Sequence, residues 1–311
     1  EMGPRLDFHY PVADSTHALT TQIRDAVPSP DGKKLAFTSL NRLYVMDYPN
    51  GQPKRLTTNN FTEAFPAWSP AGNSIVFSSW TGTGGHLYKI TLNAKTAPQQ
   101  LTKLPGIYQF SSFTPDGERI VFQRSQAEVY RQSFSPGYND AEEELCWIPA
   151  KGGELTVIDK AMGRYNPHFV KGVNRIYLNQ NGQLLSIQWD GSDQKVHAKI
   201  TGITTYGMSN YKNGKPVVDH CIMTEANAEA MEMNMPSNAA LINISPTGGQ
   251  AFAQINNEIY VATIPQTGKT INISVADAGS AQFPARKLTT IGGEFPVWQA
   301  DGNKVHYSLG N

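Results

Sequence analysis

Ser29-Pro30-Asp31-Gly32, followed by Lys33-Lys34-Leu35-Ala36-Phe37-Thr38, decides the fold because the phrase returns along the chain. Ser69-Pro70-Ala71-Gly72 precedes Asn73-Ser74-Ile75-Val76-Phe77-Ser78, and Thr114-Pro115-Asp116-Gly117 precedes Glu118-Arg119-Ile120-Val121-Phe122-Gln123. A weaker copy stands at Ser245-Pro246-Thr247-Gly248, and Ala300-Asp301-Gly302-Asn303-Lys304-Val305-His306-Tyr307 is the last. Proline presets φ at the first corner of a turn, aspartate accepts from nearby backbone N–H groups, and glycine takes the positive φ that other residues resist. The phrase is therefore a turn between two strands. Asp31, Asp116 and Asp301 are read as fold devices in separate repeats, not as a carboxylate cluster.

The first three phrases are spaced 40 and then 45 residues apart. Roughly 40–50 residues per four-stranded unit is the spacing of β-propellers, whose sheets bury their faces only against neighbours. The expected fold is all-β: a six-bladed β-propeller of four-stranded blades in one domain. The blades are expected at about 24–57, 63–102, 108–158, 164–201, 239–289 and 294–311. The last is too short, and the alternating segment Arg5–Tyr10 is expected to complete it and remove two sheet edges. Arg131–Glu144 reads as an insertion within the third repeat. Residues 204–238 interrupt the series, with a short helix expected over Thr224–Met233. Trp68, Phe113, Phe169 and Trp298 occupy one slot ahead of the turn and read as wedges between blades.

Of the 311 residues, 26 are basic and 26 acidic, a balance that disfavours nucleic acid or an anionic membrane as the main partner. With 27 glycines and 20 prolines the chain has many turns, and 10% aromatic residues supply a packed core. No apolar run approaches the ~20 residues of a membrane span. Glu1-Met2-Gly3-Pro4 has neither a basic start nor an apolar run, so no signal peptide is expected there, as in a mature exported chain. Cys146 and Cys221 are left open between two buried thiols and a disulfide.

Ser-Pro-Asp-Gly-Lys-Lys-Leu-Ala-Phe at 29–37, Leu43-Tyr44-Val45-Met46-Asp47 and Arg55-Leu56-Thr57 resemble the repeat of TolB-like (PD40, WD40-like) β-propellers. Gln22-Ile23-Arg24-Asp25, Gly84-Gly85-His86-Leu87-Tyr88 and Leu288-Thr289-Thr290-Ile291-Gly292-Gly293-Glu294-Phe295-Pro296 resemble the propeller region of large exported bacterial amidohydrolases. That resemblance implies a periplasmic or secreted setting and a longer protein. In such proteins a metal-dependent hydrolase domain follows the propeller, so a divalent metal is expected only in that domain and no cofactor in this chain.

Chemistry within the chain itself is not expected. His9, His17, His86, His168, His197, His220 and His306 include no pair one residue apart, as an amidohydrolase metal site requires. There is no Gly-x-Ser-x-Gly elbow. In Asp219-His220-Cys221 adjacent side chains would point to opposite faces of a strand. Gly82-Thr83-Gly84-Gly85 lacks the lysine of a phosphate cradle, and Glu142-Glu143-Glu144 reads as a solvated loop. No catalytic and no metal-binding residue is assigned.

Propeller geometry places any binding site at the central channel. The candidates are Arg24, Asp25, Glu63, Tyr108, Arg164, Asn166, His168 and Glu294, polar residues where a buried strand would prefer apolar ones. The expected function is a non-catalytic binding and substrate-access module beside a hydrolase domain, with a peptide or small molecule in the channel. A free-standing interaction propeller of the cell envelope is the alternative. A propeller-type polysaccharide lyase using Tyr108, Arg164 and His168 is the third reading. The expected partners are a hydrolase domain of the same polypeptide or a cell-envelope protein.

Overall fold

The computed structural model describes residues 20, 22–94, 96–132, 143–202, 210–212, 215–218, 221–222, 236–279 and 281–309. The first repeat forms a four-stranded antiparallel sheet of β1 (Arg24–Pro28), β2 (Lys34–Ser39), β3 (Arg42–Asp47) and β4 (Lys54–Arg55), in chain order. The second is β5 (Thr62–Trp68), β6 (Ser74–Trp80), β7 (Leu87–Thr91) and β8 (Gln99–Gln100). The third is β9 (Ile107–Phe113), β10 (Arg119–Ser125), β11 (Glu144–Pro149) and β12 (Thr156–Lys160), with helix α1 (Ala127–Gln132) between β10 and β11.

The fourth blade contains β13 (Tyr165–His168), β14 (Ile176–Gln180), β15 (Gln183–Ile187) and β16 (Lys195–Gly202). Short strands β17 (Asn210–Lys212), β18 (Lys215–Val218) and β19 (Cys221–Ile222) form a separate three-stranded sheet inside the 204–238 insertion. The helix expected over Thr224–Met233 lies outside the described residues. Next come β20 (Ser237–Asn238), then β21 (Leu241–Ile244), β22 (Gln250–Ile255), β23 (Glu258–Thr263), β24 (Ile271–Ser274) and β25 (Ala285–Lys287). The fifth blade uses β21, β22, β23 and β25. β24 instead leaves it and pairs in parallel with β16 of blade 4, while β20 pairs antiparallel with the same strand. The chain closes with β26 (Glu294–Trp298) and β27 (Val305–Ser308), a sheet of two strands.

Among the described residues the propeller thus has five blades of four strands, the fourth extended by β20 and β24, and not the six expected. The last repeat carries the turn phrase and its two flanking strands, but no third or fourth strand pairs with β27 among the described residues. Arg5–Tyr10, expected to complete it, lies outside them. A turn phrase specifies a hairpin. The outer half of a blade is encoded separately, so counting the two-stranded last repeat as a blade overstated the number.

The phrase itself behaves as its chemistry requires. Ser29 Oγ donates to Asp31 Oδ1 at 2.6 Å, and the Lys33 N–H donates to the same oxygen at 3.1 Å. Thr114 and Asp116 repeat this, with the Glu118 N–H at 2.9 Å. The Ser29 hydroxyl holds the Asp31 carboxyl below the usual range, and the Thr114 hydroxyl does so for Asp116. Gly117 has φ +76°, and a Cβ there would touch the Pro70 ring at 3.5 Å; Gly72 stands likewise over Pro30. In blades 2 and 3 the turn's glycine therefore packs on the previous turn's proline, while Gly32 meets Gln299 and Gly302 meets Ser245 and Thr247, so the turns tile around one rim.

Burial follows the same logic. Ile75 and Phe77 of blade 2 pack with Ala36 and Leu43 of blade 1. Val76 and Leu87 of blade 2 join Phe122 and Cys146 of blade 3. Further clusters link blades 3 and 4, blades 4 and 5, and blade 5 with Trp298 of the closing sheet. The apolar core lies between sheets, which is why one repeat cannot fold alone. Cys146 is a buried free thiol, its pKa pushed up to about 12 by burial.

Candidate functional site

The innermost strands carry an irregularity that the repeat pattern did not announce. β1, β5, β9, β13 and β26 each break register against their neighbour, and β21 does not. At each break one residue is left-handed: Asp25 (φ +52°), Phe65 (+53°), Phe110 (+53°), Asn166 (+57°) and Phe295 (+52°). Such a conformation is costly for a phenylalanine, and bulges of this kind re-aim side chains. Here they set neighbours against one another around the axis. Asp25 Oδ2 accepts from the Phe65 N–H at 3.4 Å, Phe65 and Phe110 rings stand 5.8 Å apart, and Phe110 and Tyr165 rings 5.7 Å. The signal lay in Phe65-Pro66-x-Trp68, Asn166-Pro167-x-Phe169 and Phe295-Pro296-x-Trp298, a second repeated phrase.

Four of the eight candidate residues are engaged in the scaffold. Glu63 is 1% exposed, and its carboxylate accepts from the Leu43 N–H at 2.8 Å and from the Thr57 hydroxyl. The Tyr108 hydroxyl donates to the Leu104 carbonyl at 2.7 Å. Arg164, 4% exposed, donates to Asp159 at 2.5 Å and to the Ala161 carbonyl at 3.0 Å. His168 Nδ1 lies 2.7 Å from the Asn166 carbonyl, which can only accept, so Nδ1 carries the proton. Nε2 is then the bare nitrogen that receives the Ile244 N–H at 3.1 Å, joining blade 4 to blade 5. Burial pushes the His168 pKa down to about 4, so the ring is neutral at pH 7.

The other four stand at the bulges or beside them. Asp25 is pushed above the usual carboxylate range by burial. The Asn166 side-chain nitrogen is buried with no hydrogen-bond partner among the described residues. Arg24 and Glu294 are exposed and line one cavity of about 600 Å³ together with Phe295 and Pro296. The eight do not gather at one mouth: His168 alone among them lines the cavity at the turn-phrase end.

That second cavity, about 450 Å³, draws on every repeat: Pro30, Pro70, Pro115, Lys171, Pro246 and Ala300 stand at matching places around it. Its walls include Trp68, Phe113, Phe169 and Trp298. Trp68 Nε1 donates to the Val27 carbonyl at 3.0 Å and Trp298 Nε1 to the Asn243 carbonyl at 2.9 Å, each reaching the preceding sheet. The indoles thus tie adjacent sheets while facing the axial opening. The site is concave and largely apolar, with few free polar groups, as binding clefts are.

A Ser–His contact that the sequence reading did not note, Ser186 Oγ to His197 Nε2 at 2.8 Å, has the spacing of a nucleophile and base. Ser186 is wholly buried, and Arg175 Nε donates to the same oxygen at 2.8 Å, so the pair braces blade 4. Among the described residues no three His, Cys, Asp or Glu side chains cluster as a metal site would require. Among them, too, no helix is long and apolar enough to cross a membrane.

Residues 24–144 match the family model described as TolB beta propeller domain (PD40). The putative TolB from Agrobacterium tumefaciens superposes with a TM-score of 0.53 at 15% identity, over 86% of this chain and 91% of that one. TolB from Acinetobacter baumannii gives 0.53 at 14% identity, over 87% of this chain and 55% of that one. An oligogalacturonate lyase solved in complex with manganese gives 0.52 at 14% identity, over 88% and 67%. At these identities the likeness is one of fold. No curated protein matches the chain.

Proposed function

We propose that this TolB-like β-propeller is a non-catalytic binding module whose ligand-facing surface is the central channel. In this reading it controls access to a metal-dependent amidohydrolase domain in the periplasm or outside the cell. The observation that carries it is the commitment of the polar groups. Glu63, Tyr108, Arg164 and His168 direct their hydrogen bonds into the scaffold, whereas the axial opening offers proline, tryptophan and phenylalanine surface. Such a surface suits the apolar side chains and amide backbone of a peptide. The amidohydrolase setting is supported by the resemblance of the 84–88 and 288–296 segments to the propeller region of those enzymes.

A second reading is a free-standing propeller that binds a cell-envelope protein. It is favoured by the Agrobacterium tumefaciens protein, of which this chain covers 91%. The first reading places the ligand at the axis and the second its partner at the rim of the propeller, and both predict no turnover. The test compares the chain with Ser112→Trp, which sets an indole into the 450 Å³ cavity. Binding of an envelope-derived peptide library, read by mass spectrometry, is expected to fall at least tenfold in the variant. Unchanged capture by Ser112→Trp, or cleavage of amide or oligogalacturonate substrates by the unmodified chain, would overturn the proposal.

A further inference from the structure

One residue stands immediately before each left-handed break of the inner strands: Arg24, Ala64, Gln109, Tyr165 and Glu294. Only Arg24 and Glu294 are charged, and their signs are opposite. They belong to β1 and β26, which lie side by side where the ring closes. Both are exposed, and both line the cavity of about 600 Å³ at the end of the propeller away from the turn phrases. Among the described residues neither side chain has a hydrogen bond or an ion pair, so the two do not reach each other. The nearby Asp25 carboxylate turns instead to the Phe65 N–H and the Thr38 hydroxyl, each at 3.4 Å. Gln254, in the same wall, donates from Nε2 to the Gly293 carbonyl at 3.2 Å, which leaves its Oε1 as an acceptor.

The geometry points to a binding site for a zwitterion with an apolar body: an α-amino acid or a short peptide with both ends free. Arg24 offers a guanidinium fork to a carboxylate, and Glu294 offers a carboxylate to an ammonium group. A simple anion would meet Arg24 but stand beside the like charge of Glu294, and a simple cation would meet the reverse. A ligand carrying both signs satisfies the two at once. The body is selected by Ile23, Leu241, Phe295 and Leu309, which make much of the remaining wall apolar. A sugar would set its hydroxyls against that wall without partners. A cavity of about 600 Å³ lies within the range of small-molecule sites and is about four times the ~150 Å³ that takes benzene, room for a dipeptide whose N–H can meet Gln254 Oε1.

The site goes beyond the channel reading, and its test does not depend on a channel ligand being found. The chain is titrated with leucyl-leucine, its N-acetyl derivative, its amide and free leucine, followed by NMR and calorimetry. Leucyl-leucine is expected to bind about fivefold more tightly than either blocked form. Arg24→Gln and Glu294→Gln replace exposed side chains, so the fold should persist in both. Arg24→Gln should reduce the preference over the amide to within about twofold while keeping that over the N-acetyl form; Glu294→Gln should do the opposite. Free leucine binding as tightly as the dipeptide assigns the site to an amino acid, and weaker binding assigns it to a peptide. Equal binding of the three dipeptide forms, unchanged preferences in the two variants, or no saturable binding of leucyl-leucine overturns the inference. So does loss of binding in folded Ser112→Trp, which would seat the dipeptide in the axial cavity.

Discussion

His168 shows how the meaning of a polar residue at the hub depends on where its ring atoms go. In the unfolded chain its imidazole takes a proton near pH 6.5; in the fold it resists until about pH 4, because burial penalises the charged ring. Below pH 6.5 the unfolded state therefore binds more protons, and stability falls as pH drops from 6.5 to 4, then levels off. The gap is worth about 3 kcal/mol. His168→Gln should remove this contribution, leaving urea-derived stabilities at pH 4 and 7 closer together by that amount; identical pH slopes for the two proteins would refute the assignment. The sequence marked His168 as polar in a strand, but its partner Ile244 belongs to another blade and was invisible there. Glu63 presents the same lesson, since its acceptor role toward Leu43 and Thr57 depends on β3 of the preceding blade and the segment after its β4.

At the level of elements, local chemistry and tertiary pairing separate cleanly in β24. Ile271-Asn272-Ile273-Ser274 alternates buried and exposed side chains, a pattern readable as a half-buried strand. Its partner is β16, where Ala198 stands opposite Ile271 and Ile200 opposite Ile273. The strand bridges two blades and packs in the cluster with Ile200 and Ile255. Ile273→Ala should cost about 2–4 kcal/mol, and limited proteolysis should then cut first within residues 264–284. Cleavage spread evenly over the chain would argue against β24 as a strap. The bulges are a further case: Phe-Pro recurs in the sequence, but the left-handed φ at Phe65 and Phe295 arises only where an inner strand must bend around the axis.

For the whole molecule, the decisive feature is the seam where the ring closes. Apolar clusters join each successive pair of sheets up to the closing one. Between the closing sheet and blade 1 the described contacts are mainly polar. Gln299 Nε2 donates to the Ser29 and Pro30 carbonyls, each at 3.3 Å, while its Oε1 accepts from His306 Nε2 at 2.9 Å. Tyr48 packs edge-on against the His306 ring at 5.8 Å. Gln299→Ala should therefore cost about 1–2 kcal/mol by removing both side-chain hydrogen bonds to the blade 1 turn. Hydrogen exchange should then quicken first in β1, β26 and β27; uniform loss of protection across the blades would show that the seam is not the weak point.

Read alone, the sequence determined the repeat, the turn chemistry and the inner hairpin of each unit, because these rest on residues close together in the chain. Residues 35–38 and 43–47, parts of the repeat phrase, lie within β2 and β3 for that reason. Tertiary structure decided that five sheets reach four strands, that β24 crosses to blade 4, and that Glu63, Tyr108, Arg164 and His168 spend their polar atoms on the scaffold. Each of those outcomes depends on which strand edge or buried polar atom finds a partner from a different repeat, and sequence spacing carries no record of that meeting.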